Sequence, residues 1–540
     1  MKKEPLTLER LDEIADAVAE HGGIKPAAKV LGLTRSAVQR AMRQLKAKGR
    51  VSVAPRAVAP LPSAGKITRY ILTCAQSNTD VHSKVWTNLM ALASHYEAKV
   101  LVSRFTYMKE AYGQKSVKPG KEATEKDKAE LWYDKAIEGF VSDAAIELAP
   151  GLVWCGDMNI MPTAVRPLSG LESYTGRKSG IFPHVKFAME SIASGKFEAA
   201  KLNYTTGTVT LRNYVEKKIG KRAEFHHGYG GLLVEVNSAG SWWVRQLNAD
   251  SEGTIYDLTL RAKGGKVTDG HRVEGINWGD IHVGTVPAVV ERACWGPRPA
   301  AEGGSMIDVL RPKYQFFNDV INFHSRNSHE IKNPHKRFQR YVNGQDSVMK
   351  ELVNVVAFFE KAGRKDVRSI IVDSNHDNGL ERWLREGDYR FDEKNALFFL
   401  EAQLAKYKAM AAKNDEFHCI EWAFNHLAPH LSNHLRFLRQ DESFVICPDA
   451  NGGIECGMHG HLGPNGARGS AAAFSKMGRK SNVGHTHAAA IHDGTYVAGV
   501  VGSLDQGYNA GPSNWTHSNV ITYRNGKRAI CTIWGGRWKA

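Results

Sequence analysis

Five short polar motifs, each set where an apolar run stops, punctuate the second half of this 540-residue chain. They are GDIHVG with Asp280 and His282, FNDVINF with Asp319, SNHDN with Asn375, His376 and Asp377, GMHGH with His459 and His461, and GHTH with His485 and His487. Short apolar runs bounded by turn signals read as buried strands, and longer stretches with helical periodicity read as helices. VEGINWGD, YQFFND and SIIVDSNHD are runs of the first kind. SVMKELVNVVAFFEKAG, with Leu352, Val355, Val356 and Phe359 on one face, and ALFFLEAQLAKYKAMAAK are of the second. Hairpins are expected in SFVICPDANGGIECGMHGH and around Asp493-Gly494 and Asn525-Gly526. Strands that feed helices through polar corners define a mixed α/β fold, here with two packed sheets.

A single histidine among the 22 of this chain says little. The polar turn at Asn375–Asp377, taken alone, reads as a cap on the helix GLERWLRE. The order of the motifs says more: it resembles the calcineurin-like metallophosphoesterase superfamily, whose pattern runs DxH, GDxxD, GNH(D/E), a lone His, then GHxH. The second block departs from that pattern, with Asn318 for its glycine and Asn322 for its final aspartate, and Ser374 replaces the glycine of the third. The resemblance spans about residues 271–500 and implies a double-sheet sandwich flanked by helices over 266–540. It also implies a two-metal site in which Asp280, His282 and His487 hold one ion, Asn375, His459 and His485 the other, and Asp319 bridges. His459 is preferred to His461 as the ligand because the resembling enzymes use the histidine that ends the strand. His461 and Arg468 then border the substrate. His376 would protonate or stabilise the leaving oxygen, with Asp377 orienting its imidazole. Carboxylate and imidazole donors together suit Mn, with Fe or Zn as alternatives, and two such ions polarise one water against phosphorus.

The first fifty residues carry the signals of a helix-turn-helix. Leu8, Leu11, Ile14 and Val18 recur at spacings of three and four, Gly32 makes a tight turn, and Thr34 caps a helix with Val38, Met42 and Leu45 inward. Arg35, Ser36, Gln39, Arg40 and Arg43 then face outward, able to reach base edges or phosphates. A helical hairpin with a solvated basic face, or one that contacts protein, fits the same letters. Residues 51–66, with three prolines among small residues, read as a linker, and 67–265 as a smaller α/β domain that opens with a βαβ unit.

A formal charge of +16 favours polyanionic partners, since Lys and Arg that neutralise phosphates release condensed counterions. Seven scattered cysteines without a CxxC read as buried, reduced thiols. No apolar run reaches the roughly 18 residues that span a bilayer, so a cytoplasmic location and no membrane partner are expected. The site fixes a reaction and leaves the substrate open. The basic charge and the first fifty residues favour DNA, making a metal-dependent DNA nuclease the leading expectation. A metal-dependent phosphatase or nucleotide phosphodiesterase, and a DNA-binding regulator with a vestigial site, are the alternatives. Self-association is left open. The placing of a βαβ piece before the phosphoesterase motifs is similar to that in the first-step DNA transfer proteins of T5-type phages. That resemblance implies host DNA degradation in the cytoplasm of an infected bacterium.

Overall fold

The computed structural model describes residues 67–106, 131–296 and 304–540 except 197, 328–329, 432 and 451, together with 10–11, 13–14, 17–18 and 24–47. The chain divides into two compact units, Met1–Ala59 and Pro60–Ala540. In the first, helices Ile24–Val30 and Arg35–Ala47 flank a turn at Gly32, whose φ of +61° suits a residue without Cβ. The Thr34 hydroxyl accepts from the Ala37 amide at 3.2 Å, the cap expected at that position. Leu11, Ile14, Ala28, Val38 and Ala41 close a small core. Arg35, Ser36 and Arg40 are exposed and Gln39 is half-buried. Leu8, the side chains of Met42, Arg43 and Leu45, and the linker 51–66 lie outside the described residues.

The second unit opens with the expected βαβ piece. Strands Thr68–Gln76 and Lys99–Phe105 pair in parallel around helix Ser83–Tyr96. Strands Gly230–Val236 and Trp242–Asn248 complete a four-stranded sheet. A second sheet, of six strands, runs in the order Leu435–Phe437, Arg368–Ile371, Tyr314–Phe317, Gly275–Asn277, Ser518–Thr522, Arg528–Thr532. Its first four strands are parallel, which places the chain-ends of three neighbouring strands side by side. Each of the three expected hairpins forms. All seven cysteines are buried, and none is in a disulfide. Among the described residues no helix is long and apolar enough to cross a membrane.

The division expected at residue 265 is not a boundary between compact units. A ten-stranded sheet is shared by both stretches: Met189–Ile192, Lys201–Thr205, Ser179–Phe182, Leu152–Cys155 and Ala145–Ala149 continue the ladder of Ala490–His492 and its neighbours. The seam is the antiparallel pairing of Ile491 with Met189. Sequence periodicity reports which residues are strands, whereas pairing over long separations is set by the packed interior. The ten-stranded and six-stranded sheets meet through buried polar contacts. Asn482 Nδ2 donates to Asn277 Oδ1 at 2.8 Å and to Thr522 Oγ1 at 3.0 Å, and Arg528 donates to the Ser481 carbonyl at 2.7 Å.

Two histidines of the 67–265 stretch are locked neutral. The His184 ring accepts from the Lys186 amide at Nδ1 and donates from Nε2 to the Met161 carbonyl. His227 donates from Nε2 to the Thr210 carbonyl and accepts at Nδ1 from the Tyr214 hydroxyl. Burial pushes their pKa values down to about 4 and about 3. In the unfolded chain both titrate near 6.5, so below that pH the unfolded state binds protons that the folded state refuses. Stability is therefore full above about pH 6.5 and falls on acidification, by about 2 kcal/mol per histidine at pH 5. Urea unfolding at pH 7.5 and pH 5 measures the drop, and His184→Gln is expected to flatten part of it.

Candidate metal centre

The site is built where strands of two sheets end. Asp280 and His282 follow strand Gly275–Asn277, Asp319 follows Tyr314–Phe317, and Asn375 follows Arg368–Ile371, all in the six-stranded sheet. His459 follows Ile454–Glu455, and His485 and His487 follow Lys480–Val483, in the ten-stranded sheet. Ligand sites of parallel sheets lie at these carboxyl ends because adjacent loops converge there.

All seven expected ligand residues come together. Asp280, His282, Asp319 and His487 are buried, with one donor atom from each within 4.8 Å of the others. His487 Nε2 lies 3.0 Å from Asp280 Oδ2 and 3.1 Å from His282 Nε2. On the other side Asn375 Oδ1 lies 3.0 Å from His459 Nε2 and 3.1 Å from His485 Nδ1. Asp319 stands between the two groups, its Oδ2 at 3.3 Å from His459 Nε2 and 3.9 Å from His282 Nε2.

The backbone is bent to achieve this. His282, Asp319, His485 and His487 all adopt positive φ, between 45° and 71°, which side chains other than glycine rarely take. A Cβ on Gly484 would sit 2.3 Å from Asp280 Oδ1, so glycine is required for the His485 amide to reach Asp280 Oδ2 at 2.9 Å.

Two buried carboxylates among imidazoles create a demand for positive charge. Burial opposes the charged form of His459, yet Asp319 and Asp280 hold its pKa up at about 9. Burial pushes His282 down to about 3 and His485 down to about 4, the charge on His459 adding to the second shift. Asp280 Oδ1 and the Nδ1 atoms of His282 and His487 are buried without a hydrogen-bond partner. Orphaned buried donors and acceptors of this kind call for an explanation. Two carboxylates, four imidazoles and an amide oxygen form a donor set that fits Mn, Fe or Zn.

Two of the sequence departures, Asn318 and Ser374, acquire roles through their side chains. Asn318, standing for a glycine, brings Oδ1 to 3.3 Å from His459 Nδ1 and so turns Nε2 toward Asn375 and Asp319. The Asn322 carbonyl lies 3.1 Å from His376 Nδ1. Ser374 Oγ accepts from the Asp319 amide and donates to Asp377 at 2.7 Å. Asp377 is the correction: its carboxylate accepts from the Ile321 amide at 2.8 Å and from Ser374, and does not orient the His376 imidazole. Burial and the charge of Asp319 raise its pKa to about 7. It pins the Asp319 and Asn375 loops together, while the Asn322 carbonyl takes over the orienting contact.

His376 is half-buried, its amide donating to Asp319 Oδ1 at 3.0 Å and its ring 4.6 Å edge-on to that of His282. The His461 ring lies 5.3 Å from that of His459 and 6.2 Å from that of His485, on the border of the cluster. Arg468 is exposed on the following loop, its backbone bridged to Leu462. Arg35, Ser36, Gln39, Arg40 and Arg43 belong to the other unit. Sequence reasoning missed Trp515, whose ring meets His487 at 4.2 Å, and Tyr508, which packs against Trp515 at 5.8 Å and is 54% exposed. Both sit in a glycine-rich stretch without periodicity.

Over 481 residues the chain is 37% identical to Protein A1 of Escherichia phage T5, an alignment that covers 87% of this chain and 83% of that protein. The chain belongs to the Protein A1 family. The link to T5-type phages expected from the sequence is thereby shown. No family model matches the chain, and no solved structure matches it.

Proposed function

We propose that this Protein A1 relative is a two-metal phosphodiesterase that cleaves DNA, built over 266–540 on the calcineurin-like metallophosphoesterase plan. The observation that carries the reading is the convergence of seven donor side chains from five separated segments, in the order which that superfamily uses. Asp280, His282 and His487 would hold one ion, Asn375, His459 and His485 the other, with Asp319 between them. When bound, the metals supply an activated water and neutralise charge on the phosphoryl oxygens.

The remaining chemistry belongs to the chain. A carbonyl only accepts, so His376 Nδ1 carries a proton toward Asn322. That contact leaves Nε2 as the atom that, on a ring protonated at both nitrogens, gives a proton to the departing oxygen, and the hydrogen bond from the His376 backbone amide to Asp319 fixes the ring's base. Exposed Tyr508 and half-buried Trp515, the latter against His487, form an aromatic ledge of the kind on which nucleobases stack. The exposed Arg35, Ser36 and Arg40 of the first unit and the chain's +16 charge supply phosphate contacts. The phage relationship fits degradation of host DNA early in infection, and the cytoplasm of the infected cell is where that reaction would take place.

His376→Ala is expected to lower the cleavage rate by about 10²- to 10⁴-fold while leaving DNA binding intact, as removal of a general acid does. Nicking of linear and closed circular duplex DNA with Mn, Mg, Zn or no metal, paired with a gel-shift assay, reads both quantities. Unimpaired cleavage by the variant would remove His376 from the reaction. Turnover of nucleotides by the wild type with no nicking would favour a phosphatase instead.

A further inference from the structure

Helix Ala396–Ala411 buries Phe398, Phe399 and Ala402 on one side, the Phe399 ring 4.8 Å from Trp383 and the Phe398 ring 5.9 Å from Trp422. Its other side is also apolar and faces solvent: Leu397, Leu400, Leu404, Tyr407 and Met410 are between 45% and 72% exposed. Exposed Phe391 extends the patch just before the helix. Single exposed leucines are ordinary, but a continuous stripe along four turns marks an interaction surface. Leu397, Leu400, Leu404, Tyr407 and Ala411 recur at alternating steps of three and four, the seam along which two helices pair side by side.

We infer that this stripe docks a second copy of the same chain, helix against helix and antiparallel. The charges beside the seam select that occupant. Glu401 and Lys408 lie seven residues apart on the same flank, both accessible, with Glu401 3.7 Å from half-exposed His426. A parallel pair would set opposite flanks against each other, bringing Glu401 near Ala396 and Lys408 near Gln403, with no ion pair. An antiparallel pair sets like flanks together and has two registers. In one, Glu401 faces Glu401 of the second copy. In the other, Leu404 packs on Tyr407 of the second copy, and Glu401 faces its Lys408 on both sides of a two-fold axis. The surface is self-complementary in that register, as a closed dimer requires.

Sedimentation velocity of the full chain tests the inference. The wild type is expected to sediment as a dimer, and Leu404→Asp as a monomer with unchanged circular dichroism. Glu401→Lys and Lys408→Glu are each expected to weaken association on the order of tenfold, because each places two like-charge pairs in the interface. The double variant E401K/K408E restores both ion pairs and is expected to regain wild-type association. A monomeric wild type, a dimeric L404D, or a double variant no tighter than either single one would overturn the proposal. None of these residues touches the metal centre, so DNA cleavage and association report separately.

Discussion

Asp319→Asn is expected to silence DNA cleavage while leaving the protein folded. The substitution keeps the side chain's size and an oxygen able to accept the His376 amide, which Asp319 Oδ1 does at 3.0 Å. What it removes is the anionic Oδ2 that lies 3.3 Å from His459 and 3.9 Å from His282, the one carboxylate shared between the two ligand groups. Without it the two groups lose both their common donor and half of the buried negative charge that draws cations in. Cleavage is expected to fall by about 10³-fold or more, about 4 kcal/mol of lost transition-state stabilisation. Elemental analysis of purified protein should show the metal content falling from two ions per chain to one or none, and the thermal midpoint without added metal should hold near that of the wild type. Wild-type metal content together with wild-type cleavage would contradict a bridging role.

The second large effect is on stability and lies far from the chemistry. Arg245 is 1% exposed and donates to Asp257 at 2.8 and 2.9 Å and to Glu235 at 2.7 Å. Arg69 donates to the other Glu235 oxygen at 2.9 Å, and the Tyr96 hydroxyl to Asp257 at 2.6 Å. Burial opposes ionisation of Glu235, but the two arginines hold its pKa down to about 2. Arg245→Leu would leave buried Asp257 without its cation and Glu235 with Arg69 alone, and breaking a buried pair in this way costs about 3–5 kcal/mol. Urea unfolding at neutral pH measures it. Replacing Glu235 and Asp257 by leucine in the same chain is expected to recover much of the loss, since an apolar set carries no desolvation cost. Equal instability of the single and triple variants would show that shape rather than charge governs the cluster.

The candidate ligand residues were legible because each short motif is local and the order of the motifs resembles that of a known superfamily. A strand must stop before its polar end group can turn inward, and that stop is written in the letters of GDIHVG, SNHDN and GHTH. The βαβ opening and the three hairpins were legible for the same reason, their partners being neighbours in sequence. Asp377 was misread because adjacency to His376 says nothing about direction. The Ser374 hydroxyl and the Ile321 amide, both hydrogen-bonded to its carboxylate, set where that side chain points. Asn318 looked like a loss and turned out to hold His459 in place by its side-chain amide, whereas Asn322 meets His376 only through its backbone carbonyl, which any residue would offer. The shared ten-stranded sheet was invisible because Met189 and Ile491 meet only in the folded chain.

That seam constrains how such genes can change. A recombination event that joined codons 266–540 to a foreign upstream piece would leave Ala490–His492 with a bare flank, an invitation to clumping before any reaction could begin. The portion ending at Ala59 closes its own core and, among the described residues, contributes no strand to that ladder.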